Sequence, residues 1–135
     1  MDLDFNLETS DINPELMNPL VWAYIGDAVY ELYVRTHLVT GGPSKVNQLH
    51  CRSIKYVKAS AQAEFVRKIT ESLSEDEIRI MKRGRNTKST VPKNADVADY
   101  RYSTGLESLL GYLYLQNKKE RLMEILNMLE LEKEA

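Results

Sequence analysis

The sequence predicts an all-α fold in a single domain, and three observations point there. Apolar residues recur at helical spacing through most of the chain. The six glycines and four prolines fall mostly between those periodic runs. Two long stretches, Val21–Val34 and Tyr102–Leu115, are apolar nearly all the way round a helix and so belong in the middle of the protein. A chain of 135 residues fits one domain and can bury about two thirds of its unfolded surface without a disulfide or structural metal.

In chain order, Asn13-Pro14 is an N-cap followed by proline at the first helical position, the signal for a short helical turn. Asn18-Pro19 repeats it and opens the central helix, expected to run to about Leu38 before Gly41-Gly42-Pro43. Ser44 is the expected cap of the next helix, with a break near Arg52-Ser53 and a continuation through Tyr56, Val57, Ala63, Val66 and Ile69. Ser74-Glu75-Asp76-Glu77 reads as a capping box with acids set against the helix dipole. That helix is expected to end at Gly84, leaving Arg85–Asn94 as a loop. A second long helix follows from about Ala95 to Gln116, and Asn117 is the expected cap of a last amphipathic helix carrying Leu122, Ile125 and Leu126. Residues 1–13 and 131–135 are expected to fray.

Composition excludes several classes. A lone cysteine, Cys51, rules out an internal disulfide or a cysteine-based zinc site and is expected to be an ordinary packed or partly buried thiol. No positively charged apolar leader opens the chain, and no run reaches the ~18 apolar residues of a membrane span, so the expected location is cytoplasmic. Eighteen basic against twenty acidic residues give a net charge of −2, which says little about nucleic acid because patches decide that.

The chemistry rests on two acids inside the two apolar helices. Asp27 follows Gly26 in the first and Glu107 sits in the second, where Ser103, Gly105, Ser108 and Gly111 permit close approach of another helix. A bare carboxylate in such surroundings is costly, so each acid either pairs with a lysine or arginine or helps hold a cation. Two carboxylates meeting would suit Mg²⁺ or Mn²⁺, which take oxygen ligands and activate water toward a phosphodiester. Glu31 lies on the Asp27 face and is either a further ligand or an i,i+4 partner of Arg35. Asp96 and Asp99 read as first-turn acids of the second long helix. Lys82, Arg83, Arg85, Lys88 and Lys93 form a basic stretch with no acid before Asp96, suited to phosphate contacts or simply to solvent. Lys45, His50, Arg52, Lys55 and Lys58 make a second basic strip, and His37 and His50 have no metal or triad spacing.

These motifs resemble a known family. Ala23-Tyr24-Ile25-Gly26-Asp27-Ala28-Val29 resembles the signature helix of the ribonuclease III endonuclease domain, and Glu107-Ser108-Leu109-Leu110-Gly111 its second acidic motif. Lys82-Arg83-Gly84-Arg85-Asn86 and Tyr100-Arg101-Tyr102-Ser103-Thr104 are similar to the compact Mini-ribonuclease III subgroup, and the likeness runs from about Asn18 to Glu130.

The resemblance implies a ribonuclease III-like helical bundle, spanning 1–135 as one catalytic domain, that works as a homodimer cutting double-stranded RNA. It implies Mg²⁺, with Mn²⁺ able to substitute, held by Asp27 and Glu107 as the catalytic acids, and products with 5′-phosphate and 3′-hydroxyl ends. It also implies a role in maturing the large-subunit (23S) ribosomal RNA precursor, with a ribosomal protein as a candidate for presenting the substrate. Larger family members carry two further acids where this chain has Ala23 and Thr104, which points to one strong ion site and leaves Thr104 to orient a water. With no room expected for a C-terminal double-stranded-RNA-binding domain, affinity falls to the catalytic domain and dimer groove, with Arg83, Arg85, Lys88 and Lys93 expected to make part of that contact. The rival readings are a catalytically silent RNA-binding or ribosome-associated protein on this fold, and a helical interaction scaffold.

Overall fold

A computed structural model describes residues 12–131, and among them every regular element is helical. The order is a 3-10 turn at Pro14–Leu16, α1 (Pro19–Thr40), α2 (Val46–Val57), α3 (Ala59–Ile69), a 3-10 turn at Thr70–Ser72, α4 (Glu75–Asn86), α5 (Val97–Leu115) and α6 (Lys119–Leu126). Most of the ends expected to fray lie outside the described residues. Asn13 is engaged, its Oδ1 accepting from the Glu15 amide at 3.2 Å, and Leu131 packs against the core.

α5 is the axle of the bundle, packed by α1, α3 and α4. Its apolar circumference explains this: Leu106, Leu109 and Leu110 are fully buried, and Gly105 and Gly111 admit neighbouring helices on two sides. A Cβ on Gly26 would collide with the Glu107 carbonyl, and one on Gly111 with the Trp22 carbonyl. The α1 and α5 backbones therefore interlock through reciprocal glycines. Trp22 plugs the end of this seam, edge-on to Tyr112 at 5.0 Å, with its indole N–H donating to Pro14 O at 2.9 Å.

The caps follow sequence in part. Asn18 caps α1 through Oδ1 to the Leu20 amide at 2.8 Å, and Ser74 and Glu77 form the reciprocal capping box of α4. Other boundaries moved for local reasons. Lys45, not Ser44, stands at the N-cap of α2, because Gln48 accepts from the Lys45 amide while Ser44 Oγ receives Arg52. The break between α2 and α3 falls at Lys58, not Arg52-Ser53. Gly84 does not end α4: it lies against Ser108 and the Thr104 carbonyl, and the helix continues until Thr87 Oγ1 caps the Arg83 carbonyl at 2.6 Å. Asn117 takes a φ of +62° and closes α5, with the Lys118 amide reaching Leu113 O at 2.9 Å, so it is a C-terminal device and no cap of α6.

α1 also departs from expectation. Trp22, Tyr30 and Val34 are fully buried, yet Val21, Tyr24, Leu32 and Val39 are exposed, Tyr24 by 79%. Those four positions are separated by three, eight and seven residues, which places them on one stripe. The run is apolar all round because two sides meet the bundle and a third faces outward. Cys51, expected to be packed, is exposed.

Candidate functional site

The glycine interlock brings the two acids together. Gly26 sits on the Glu107 backbone, so Asp27, the next residue, emerges beside the Glu107 side chain. The two carboxyl groups are near enough that each feels the other's charge. Their burial differs from what the apolar pattern of α1 led us to expect, since Asp27 is exposed and Glu107 is mostly buried. Burial pushes the Glu107 carboxyl up to about 9, and the adjacent Asp27 charge and hydrogen bond add to the rise. The nearby Gln62 amide offsets part of the shift, and the Glu31 charge raises it further. Burial and the neighbouring acid thus both favour the protonated form of Glu107.

Other helices close the site. Tyr30 of α1 donates to Tyr56 O at 2.7 Å, and Gln62 of α3 donates through Nε2 to Val57 O at 3.0 Å. These bonds satisfy the last two carbonyls of α2 and tie α1 and α3 to its end. Burial holds the Tyr30 phenol well above its ordinary range, with the Glu107 charge adding to the effect, so it stays a neutral donor. Gln62 is the residue that reading the sequence missed. Its signal was there: it occupies the apolar face of α3, four residues before Val66, where a polar side chain needs a reason.

Among the described residues, no group of three His, Cys, Asp or Glu side chains is arranged to hold a metal ion. The donor set is thus the Asp27–Glu107 pair. That suits a hard divalent cation that keeps several waters and takes further oxygens from a phosphate. Glu31 follows the plainer alternative, lying 3.7 Å from Arg35 on the surface. Asp96 caps α5 by accepting from the Asp99 amide at 2.9 Å, and Asp99 pairs with Arg67 at 3.1 Å. Thr104 is buried, and its hydroxyl donates to Tyr100 O at 3.0 Å within its own helix.

The basic stretch divides in two. Arg83 and Arg85 stand on α4, while Lys88 and Lys93 are exposed on the loop between Thr87 and Asp96. Arg83 pairs with Glu15 at 3.1 Å and lies 4.7 Å over the Trp22 ring. Arg85 donates to the Tyr102 hydroxyl at 3.3 Å, and Arg67 lies over the same ring. An open groove of about 740 Å³ runs along α4, lined by Arg79, Lys82, Arg83, Asn86 and Thr87 among others.

Comparison with known proteins assigns the chain to a family. The family model described as Ribonuclease III domain matches residues 20–118, which contain both acids and all of the packed seam. This chain belongs to the ribonuclease III family, whose members are endoribonucleases acting on double-stranded RNA. Within that family it groups with Mini-ribonuclease 3. It is 54% identical to the Mini-ribonuclease 3 of Clostridium tetani over 83% of this chain and 76% of that one. It is 56% identical to that of a Thermoanaerobacter species over 83% and 80%. The fold also matches a crystal structure of a Fusobacterium nucleatum protein, with a TM-score of 0.77 and 32% identity over 84% of this chain and 91% of the other. No helix among the described residues is long and apolar enough to cross a membrane.

Proposed function

We propose that this chain is a metal-dependent endoribonuclease that hydrolyses both strands of an RNA duplex, leaving 5′-phosphate and 3′-hydroxyl ends. The observation that carries the reading is the contact of Asp27 with Glu107 across the α1–α5 seam. The pair fits Mg²⁺, with Mn²⁺ as a substitute, and a bound ion would supply water activation and stabilise charge on the phosphodiester. The chain's own part is positional. Gly26 and Gly111 set the helix separation, exposed Asp27 reaches toward substrate, and Glu107 is held from behind by α3. Thr104, one turn before Glu107, keeps its lone pairs to orient a water, because its proton is committed to Tyr100 O.

The unit is a single catalytic domain that acts as a homodimer in the cytoplasm. The exposed apolar stripe of Val21, Tyr24, Leu32 and Val39 flanks Asp27 and supports burial against a second copy. Duplex RNA is contacted through phosphates and 2′-hydroxyls across the minor groove by Lys88 and Lys93 of the loop, with Arg83 and Arg85 at its base. The large-subunit (23S) ribosomal RNA precursor is the proposed substrate, presented by a ribosomal protein. The competing reading is a silent RNA-binding protein on the same fold. Against it stands the acid pair, which RNA binding alone would not need beside a phosphate backbone.

The deciding experiment is cleavage of a labelled duplex and of its separate strands, with Mg²⁺ or EDTA, by wild type and Asp27→Asn. Metal-dependent cutting of the duplex alone, lost in Asp27→Asn by roughly a thousandfold, is expected because an ion supplies several kcal/mol of charge stabilisation. Duplex binding without cutting under either Mg²⁺ or Mn²⁺ would establish the silent reading.

A further inference from the structure

The geometry points to a two-arginine clamp for RNA phosphates, in which the Tyr102 ring of α5 positions Arg85 of α4 and Arg67 of α3. The inference rests on the duplex-RNA reading above and deepens it: Tyr102 is a positioning residue and Arg67 a further contact.

The Arg67 guanidinium carbon lies 4.5 Å from the centroid of the Tyr102 ring, and that of Arg85 lies 5.3 Å from it. Arg85 is steered further by two hydrogen bonds, Nη1 to the Tyr102 hydroxyl at 3.3 Å and Nε to Asn86 Oδ1 at 3.0 Å. The ring is half-buried and packed against the core, so the platform is fixed. Sharing it brings the two charges within about 10 Å, the reach of electrostatics at ordinary salt, so they repel. Only one of them is answered within the chain, Arg67 by Asp99 at 3.1 Å. The partners of Arg85 among the described residues are neutral. Arg35, Arg79, Arg83 and Arg121 differ from it, each having a carboxylate. The sequence offers no acid close by either, since none stands between Glu77 and Asp96.

Helix packing does not ask for this arrangement. An aliphatic side chain at position 102 would fill the corner of α3, α4 and α5 without drawing two like charges together. An aromatic face instead holds a guanidinium by cation–π attraction and leaves N–H groups for a bidentate acceptor. Nη2 of Arg85, which makes no bond among the described residues, is there to take one. A phosphodiester supplies both the paired oxygens and the negative charge that the two arginines lack. Lys88 and Lys93 follow on the loop that leaves this end of α4, so the clamp carries their contact onto the body of the bundle.

Charge and fold are separable here. Arg67→Met removes the guanidinium and its ion pair, whereas Asp99→Asn breaks the same ion pair and keeps the guanidinium. Tyr102→Leu removes the ring, and Tyr102→Phe keeps it and loses only the hydroxyl. Tyr102→Met replaces the leucine variant should that fail to fold. Binding of a labelled RNA duplex to the whole chain is followed by fluorescence anisotropy in EDTA over a series of KCl concentrations, well below each melting temperature.

Each phosphate contact contributes about one to the slope of log Kd against log salt. Arg67→Met is expected to lower that slope by about one, and Asp99→Asn to leave it at the wild-type value. Tyr102→Leu should raise Kd by about fivefold or more, with Tyr102→Phe within about twofold of wild type. A wild-type slope in Arg67→Met would overturn the clamp, as would an equal loss in Asp99→Asn, which would make the ion pair the cause. Equal weakening in the leucine and phenylalanine variants would overturn the part given to the ring. A wild type that neither binds nor, with Mg²⁺, cuts duplex RNA would instead overturn the duplex-RNA reading, and the clamp with it.

Discussion

Two buried-side glutamates in this molecule have opposite surroundings. Glu77, at the start of α4, accepts from Arg121 Nε at 2.8 Å and from its Nη2 at 2.9 Å, and it also closes the capping box with Ser74. The Arg121 guanidinium holds its carboxyl below the ordinary range. Glu107 is mostly buried, has the charges of Asp27 and Glu31 acting on it, and is pushed far up. Both sit in α-helices against the same core. The difference is that Glu77 brings its counter-charge from within the chain, while the charges that act on Glu107 are those of other acids, which is what the proposed ion site would need. A carboxylate with its own arginine is structural; one crowded by other acids is the better candidate for chemistry.

The most severe break in that comparison short of removing an acid is Gly26→Ala. The new methyl group would strike the Glu107 carbonyl, so the helices must part and the acids with them. Overpacking of this kind costs about 1–3 kcal/mol. Displacing catalytic groups by an ångström costs about a hundredfold in rate. Cleavage should therefore fall about a hundredfold, with a lowered melting temperature. Near-wild-type turnover would show that the interlock does not set the acid spacing.

Removing charge sharpens the contrast, because the two sites should respond with opposite sign. Arg121→Met strands Glu77 and should destabilise the fold by about 1–3 kcal/mol at neutral pH. Glu107→Gln should abolish cleavage yet raise the melting temperature of the metal-free protein at pH 8 by about 3–6 °C. The sign follows from linkage. Glu107 binds its proton more tightly when folded, so its contribution to stability is full below about pH 4.5 and is lost as pH rises toward about 9. Glutamine mimics the protonated form at every pH and should flatten that slope, as should saturating Mg²⁺ in the wild type. Thermal melts from pH 5 to 9 in EDTA decide it. A wild-type slope unchanged by Glu107→Gln would mean the acid is not crowded as described.

The basic residues divide along the same line. Arg83 already has Glu15 and Trp22, so Arg83→Ala should act mainly on stability. Lys88 and Lys93 are exposed on the loop, and replacing both with alanine should reduce the salt dependence of duplex binding by about two in slope with little effect on melting. The reverse assignment of effects would move the RNA contact from the loop to the groove along α4.

Much of this was legible in the sequence because the strongest signals were local. Asn18-Pro19, the Ser74–Glu77 box and the two all-round apolar runs each specify structure within a few residues, and an acid in each run argued that the acids meet. The failures came where a distant neighbour decided. Gly84 reads as a helix end until Ser108 is placed against it, and then its lack of a side chain is an accommodation to α5. Which of the two acids is buried depends on the outward face of α1, which periodicity cannot show when every face is apolar. Gln62 reads as a lone polar residue on an apolar face until the Val57 carbonyl is placed to receive its amide.

The smallest predicted effect concerns Thr104. Its hydroxyl proton goes to Tyr100 O, a bond that adds little to a helix and that valine can lose without changing volume. Melting temperature and KM should therefore be retained in Thr104→Val. If the oxygen's lone pairs orient a water at the acids, kcat should fall by about 10²-fold or less, the lower end of what one positioned hydrogen-bonding group contributes. Because the methyl group and the fold persist, such a change in kcat alone could come only from the lost oxygen. Unchanged turnover would make Thr104 a packing residue between α4 and α5, and would leave the Asp27–Glu107 pair as the whole of the site on this side of the helix.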